Sequence, residues 1–265
     1  MQNNTIKQIF NIIGFIIMII VNFLANYLPL NDLPTDEVSD MFPNLFTPAG
    51  VTFAIWGVIY FLLFAFIIYQ SSGIFDQFKK TPEFVEKIGW WFFISSLANS
   101  AWIFSWHYLQ ISLSLIIMFV LLFSLIVIYI KLNIGRNRYK GLKKFLVNMT
   151  FSIYLGWITI ATIANINVYL VYIDKPALGL PEVTWTIILL IAGAVVTSLV
   201  LLYRGDRAYA LVPIWAYAGI ILKRISLEPR YNAIIFTAGI AIIFIIILMI
   251  YVTYRRRKRS TIFYL

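Results

Sequence analysis

Three stretches of this chain set aromatic and amide side chains at helical spacing. Phe53, Trp56 and Tyr60 stand at i, i+3 and i+7, and Asn99, Trp102 and Trp106 repeat those offsets. Tyr154, Trp157, Ala161 and Asn165 stand at i, i+3, i+7 and i+11. Each set therefore shares one face of a helix. Indole and phenol rings stack on flat apolar molecules, and an amide adds donors and an acceptor that fix a bound molecule's orientation. The chemistry these residues offer is recognition.

Bond-making chemistry has little to work with. The chain has no Cys, which removes thiolate catalysis, disulfides and Cys-bound metals. His107 is the single histidine, with no acid near it in sequence, and is expected to be an interfacial polar residue. No GxSxG, HExxH or glycine-rich phosphate loop is present. The residues thus lean away from an enzyme and point to no catalytic group, no metal site and no required cofactor.

The elements that must carry these faces are membrane spans. The run from Phe46 to Gln70 holds no charged residue, and its roughly 22 apolar-dominated positions cover the ~30 Å bilayer core at helical rise. Pro48 is expected in the first turn of that helix. Over 265 residues the chain is 62% hydrophobic and 12% charged, too apolar for a soluble particle of this size. Further spans are expected at 9–28, 88–108, 111–130, 145–172, 185–203, 209–222 and 231–254. The 209–222 stretch is the shortest, with Pro213 inside it. The fold class is all-α, a polytopic transmembrane bundle of about eight helices.

Charge orients the bundle. The loop 29–44 is acidic, 131–144 is the densest basic loop, and five consecutive basic residues close the last span at 255–259. Basic loops stay on the cytoplasmic side, which places the protein in the cell membrane with both termini inside. The net charge of +10 is explained by this distribution and not by nucleic acid. Trp56, Asn99, Trp102 and Asn165 then fall in the outer half of the bilayer, with Tyr60 and Trp157 nearer its middle. Asn99 and Asn165 must face inward, because amides facing lipid tails would lack partners. Trp90, Trp91, Trp106 and Trp185 lie near helix ends and are expected to anchor at the interface.

The aromatic pattern resembles the translocator-protein family, also called tryptophan-rich sensory proteins (TspO/MBR), in its longer bacterial form. Pro48, Phe53, Trp56 and Tyr60 resemble that family's second-helix pattern, and Asn99 with Trp102 its third-helix N-x-x-W. Tyr154, Trp157, Ala161, Thr162 and Asn165 resemble its fifth-helix Y-x-x-W-x-x-x-A-T-x-x-N. The chain departs from the family at Thr47 in a double proline, at Gly50 where a tryptophan is usual, and at Ile153 where a proline is usual. The resemblance covers residues 1–172, a five-helix core. Residues 173–254 add three helices, and 255–265 form a basic tail. It implies a pocket lined by the second, third and fifth helices and capped by the first loop. The ligands it implies are porphyrins, haem or other tetrapyrroles.

The leading expectation is therefore an integral membrane receptor or sensor for a flat, largely apolar ligand. Its partners are the bilayer and a tetrapyrrole-like molecule, with a homodimer left open. Phe53, Trp56, Tyr60, Asn99, Trp102, Tyr154, Trp157, Ala161 and Asn165 are the candidate ligand-binding residues. A transporter or exporter of a lipid-like or heterocyclic solute is the alternative, followed by a membrane enzyme that degrades a tetrapyrrole. The absence of Asp, Glu, Lys or Arg from the middle of the longer spans speaks against proton coupling.

Overall fold

The computed structural model describes residues 2–27, 30–75, 82–137 and 139–262, and these are helical with no strand. Leu28, which ends the first expected span, and Pro29, Lys79, Lys80 and Arg138, which entered the loop assignments, lie outside the described residues. Eight long helices follow one another: α1 Gln2–Tyr27, α2 Ile55–Gln70, α3 Trp91–His107, α4 Ile111–Lys131, α5 Thr150–Tyr172, α6 Glu182–Arg204, α7 Arg207–Ser226 and α8 Asn232–Ile262. Seven of them supply segments long and apolar enough to cross a membrane, among the described residues. The exception is α3, whose 17 residues rise only ~25 Å, but it packs lengthwise between α1 and α4 inside the same bundle.

Several boundaries depart from the sequence expectation for local reasons. Pro48 does not open the second helix. Chain entry is a 3-10 turn, Gly50–Ala54, preceded by Ala49 in extended backbone, and Pro48 lies outside it. The third span does not run unbroken from Ile88, because Gly89 takes φ +61° and separates the short helix Glu83–Ile88 from α3. The short 209–222 stretch is a full 20-residue helix. Its start is set by Asp206, whose Oδ1 accepts the Ala208 and Tyr209 main-chain N–H groups at 3.1 and 3.3 Å. The other oxygen, Oδ2, accepts the hydroxyls of Ser152 on α5 and Tyr129 on α4 at 2.6 and 2.9 Å. One buried carboxylate thus caps α7 and ties it to two core helices.

Helix α7 is the seam between the five-helix core and the last three helices. It packs on α5, α6 and α8, and also touches the 3-10 entry of α2. Tyr209 donates to Thr159 Oγ1 on α5 at 3.0 Å, and Tyr217 to the Leu190 carbonyl on α6 at 2.7 Å. On the side facing the entry of α2, Ala49 N–H donates to the Gly219 carbonyl at 3.0 Å and Trp215 Nε1 to the Thr52 carbonyl at 2.9 Å. Gly219 is required there, since any Cβ would run into the Thr52 side chain. The start of α1, the α4–α5 loop and the end of α8 share one end of the bundle. Gln8 bonds to Gln70 there, and Arg256 Nη1 reaches the Gly135 carbonyl at 2.9 Å.

Candidate ligand-binding site

Helices α2, α3 and α5 bring their aromatic faces together. The Trp56 ring lies 5.5 Å from Tyr60 in a stacked pair, and 6.1 and 6.3 Å from Trp157 and Tyr154 in edge-on pairs. Trp102 is 6.3 Å away, tilted, and itself stacks on Trp106 at 5.4 Å. Phe53 meets Trp157 edge-on at 5.9 Å. These offsets and edge contacts are the arrangements that ring quadrupoles favour.

Amides hold the rings in place. Tyr60 donates to Asn22 Oδ1 at 2.5 Å, Asn22 Nδ2 to Asn99 Oδ1 at 2.7 Å, and Asn99 Nδ2 to the Tyr154 hydroxyl at 3.1 Å. On the other side Trp102 Nε1 donates to Asn165 Oδ1 at 3.1 Å, and Asn165 Nδ2 to Ser114 Oγ on α4 at 3.2 Å. Trp157 differs from its neighbours. It is 3% exposed, yet its indole N–H has no acceptor among the described residues.

Trp56 and Phe53 form the partition between two spaces. On one side is a narrow cavity of about 40 Å³ bounded by Trp102, Trp106, Trp157, Ala161, Asn165 and, from the first loop, Thr35 and Ser39. On the other is a groove of about 550 Å³ along α1, where Ile19, Asn22, Phe23, Tyr27, Gly57 and Tyr60 face Trp56, with Thr35 and Asp36 at its mouth. The short helix Thr35–Asp40 therefore covers both. It is fastened from several directions. Trp106 Nε1 donates to the Thr35 carbonyl at 3.1 Å, and Thr35 Oγ1 lies 3.0 Å from His107 Nε2. Asp40 pairs with Lys223 of α7. Farther along the loop, Asn167 Nδ2 donates to Asn44 Oδ1 at 2.9 Å.

Compared with known families, the chain matches the sequence profile described as TSPO-like protein over residues 8–251. It belongs to the TSPO-like protein family. No curated protein and no solved structure matches it. The family match runs through α6 and α7 into α8, well past the five-helix stretch to which the residue patterns alone pointed.

Within this TSPO-like protein the nine candidate residues divide by position. Phe53, Trp56, Trp102, Trp157, Ala161 and Asn165 border the narrow cavity, and Phe53, Trp56 and Tyr60 border the groove. Asn99 and Tyr154 border neither; both are buried behind the rings and bonded to each other. Two residues expected at the interface are instead interior. Trp106 is 4% exposed and lines the cavity, and His107 is fully buried, with Nδ1 3.2 Å from the Leu30 carbonyl. The loop folding down over the end of α3 buries both. Trp185 is half-buried and donates to Asn167 Oδ1 at 2.9 Å. Asn22, Thr35 and Ser39 were missed. For Asn22 a signal existed, since an amide deep in the first apolar run requires an inward partner.

Proposed function

We propose that this TSPO-like protein is a membrane receptor for a flat, largely apolar ligand of the tetrapyrrole class, held against Trp56. The observation that carries this reading is the unaccepted N–H of buried Trp157, beside Trp102 and Trp106, whose indole N–H groups do find acceptors. A buried donor left without a partner costs about 1–3 kcal/mol, and a ligand acceptor would recover it. The narrow cavity of about 40 Å³ has room for little more than a water, whereas ligand pockets run to roughly 300–1,000 Å³. The groove of about 550 Å³ falls in that range. The ligand's body then lies in the groove on Trp56 and Tyr60, and a turn of the Trp56 partition opens the way to Trp157.

A receptor fits better than an ion-coupled carrier, because the charged side chains that the fold buries, Asp206 and Arg224, sit at the two ends of α7. The basic end of the bundle, with both termini, faces the cytoplasm in this proposal, and the aromatic cluster lies in the outer half of the membrane.

Tryptophan-fluorescence quenching of the purified protein by porphyrins, haem, bilins, sterols and quinones tests it. Saturable quenching by a tetrapyrrole is expected, weakened about fivefold to tenfold in Trp157→Phe, which keeps a ring and loses the N–H. No saturable quenching by any tetrapyrrole refutes the ligand class. Affinity in Trp157→Phe equal to that of the parent chain refutes the role of the Trp157 N–H.

A further inference from the structure

A second space is larger than the aromatic groove. At the opposite end of the bundle, a cavity of about 680 Å³ opens between the α4–α5 loop, the α6–α7 corner and the end of α8. Its wall has two chemistries. Lys144, Arg207 and Arg256 bring cations to it, while Phe145 and Leu211 bring apolar surface that is itself 46% and 51% exposed on the outside of the bundle.

All three cations are exposed, and Arg256 is anchored. Arg256 Nη1 donates to the Gly135 carbonyl at 2.9 Å, and its guanidinium lies across Gly205, where no Cβ fits. Arg136 and Arg207 are close enough to act on it as like charges. Arg136 is held in turn, with Nε donating to the Tyr203 carbonyl at 2.9 Å. Asp206, the carboxylate in this wall, offsets part of the charge on Arg256, but it is one anion against Lys144, Arg207, Arg256 and the neighbouring Arg136. These cations outnumber that one carboxylate, so a further anion placed among them is favoured.

Local backbone geometry points to the same place. Residues Lys144–Met149 form a π-helical turn at the entry to α5, a rare form that recurs at functional sites. The turn is locked by a reciprocal amide pair, Asn137 with Asn148, at 2.9 and 2.7 Å. It presents Lys144 and Phe145 to the cavity side by side.

We propose that this cavity binds the phosphodiester headgroup of an anionic phospholipid, with the phosphate among Lys144, Arg207 and Arg256 and an acyl chain leaving along Phe145 and Leu211. Basic pockets between transmembrane helices at the membrane edge suit such headgroups. Free phosphate would use the cations but neither the volume nor the apolar exit.

The test uses the full chain, delipidated in detergent and titrated with equal amounts of phosphatidylglycerol and phosphatidylcholine, with bound lipid read by native mass spectrometry. Phosphatidylglycerol is expected to be retained selectively, to resist millimolar inorganic phosphate, and to lose about fivefold in affinity for each of Lys144→Gln and Arg207→Gln. Arg207→Lys keeps the charge and retains binding, which separates charge loss from misfolding. Equal retention of the two lipids, or selectivity unchanged in the Lys144→Gln/Arg207→Gln double variant, overturns the proposal. Displacement by inorganic phosphate overturns the lipid assignment in favour of a free anion.

Discussion

The main-chain N–H of Ala49 donates to the carbonyl of Gly219 across 3.0 Å, fastening the entry of α2 to the middle of α7. Five residues further on, Ala54 gives way to the helix that carries Trp56 and Tyr60. Helix α7 therefore braces the entry to the helix that carries the aromatic face.

That contact makes Gly219→Ala a sensitive substitution. The added methyl meets the Thr52 side chain, and overpacking of this kind costs about 1–3 kcal/mol. Thr52→Ala removes the obstacle, so the double variant should regain most of the loss. Thermal unfolding in detergent measures both. A neutral Gly219→Ala would mean that α2 and α7 do not approach this closely.

Asn165 is expected to matter for architecture before it matters for ligand. Removing its amide strands one buried donor, Trp102 Nε1, while the Ser114 hydroxyl keeps the Ile111 carbonyl at 2.8 Å. Asn165→Ala should cost about 1–3 kcal/mol. A cycle with Trp102→Phe should return a coupling of about 0.6–1.7 kcal/mol, the range for interhelical hydrogen bonds in membranes. A coupling of zero would leave Asn165 without its structural task.

Asp206 supports a different joint. Asp206→Ala loses the α7 cap, worth about 1 kcal/mol, and leaves the Ser152 and Tyr129 hydroxyls without their acceptor. It should be more damaging than Tyr129→Phe, which removes one donor and leaves the cap intact. Ranking the two by unfolding midpoint checks this; the reverse order would show that the cap carries little of the joint's stability.

Much of this was legible in the sequence, and the rest fails for identifiable reasons. Uncharged runs long enough for a bilayer show directly in hydropathy, because lipid offers the backbone no partners. The i, i+3, i+7 spacing of Phe53, Trp56 and Tyr60 places them on one face before any contact is known. Trp106 and His107 were misread because their burial depends on a loop some seventy residues away, which returns over the end of α3. Local sequence holds no trace of that return. The length of α7 was underread because charged ends at Arg207, Lys223 and Arg224 mask a helix that Asp206 starts. Gly219 carries no signal at all until Thr52 is placed against it.

Gly57 offers a way to ask which of the two aromatic spaces a ligand uses. It faces the groove on α2, and a Cβ added there meets nothing within 4 Å. Gly57→Ala should leave binding unchanged and stabilise the helix by up to about 1 kcal/mol, since glycine is a poor helix former. Gly57→Leu projects into the groove's 550 Å³ beside Trp56 and Tyr60 without entering the narrow cavity, which Gly57 does not border. If the ligand lies in the groove, Gly57→Leu should abolish saturable quenching while the unfolding midpoint stays at or above that of the parent chain. Full binding in Gly57→Leu would move the ligand to the Trp102, Trp106 and Trp157 side of the partition, where the loop helix Thr35–Asp40 would have to lift to admit it.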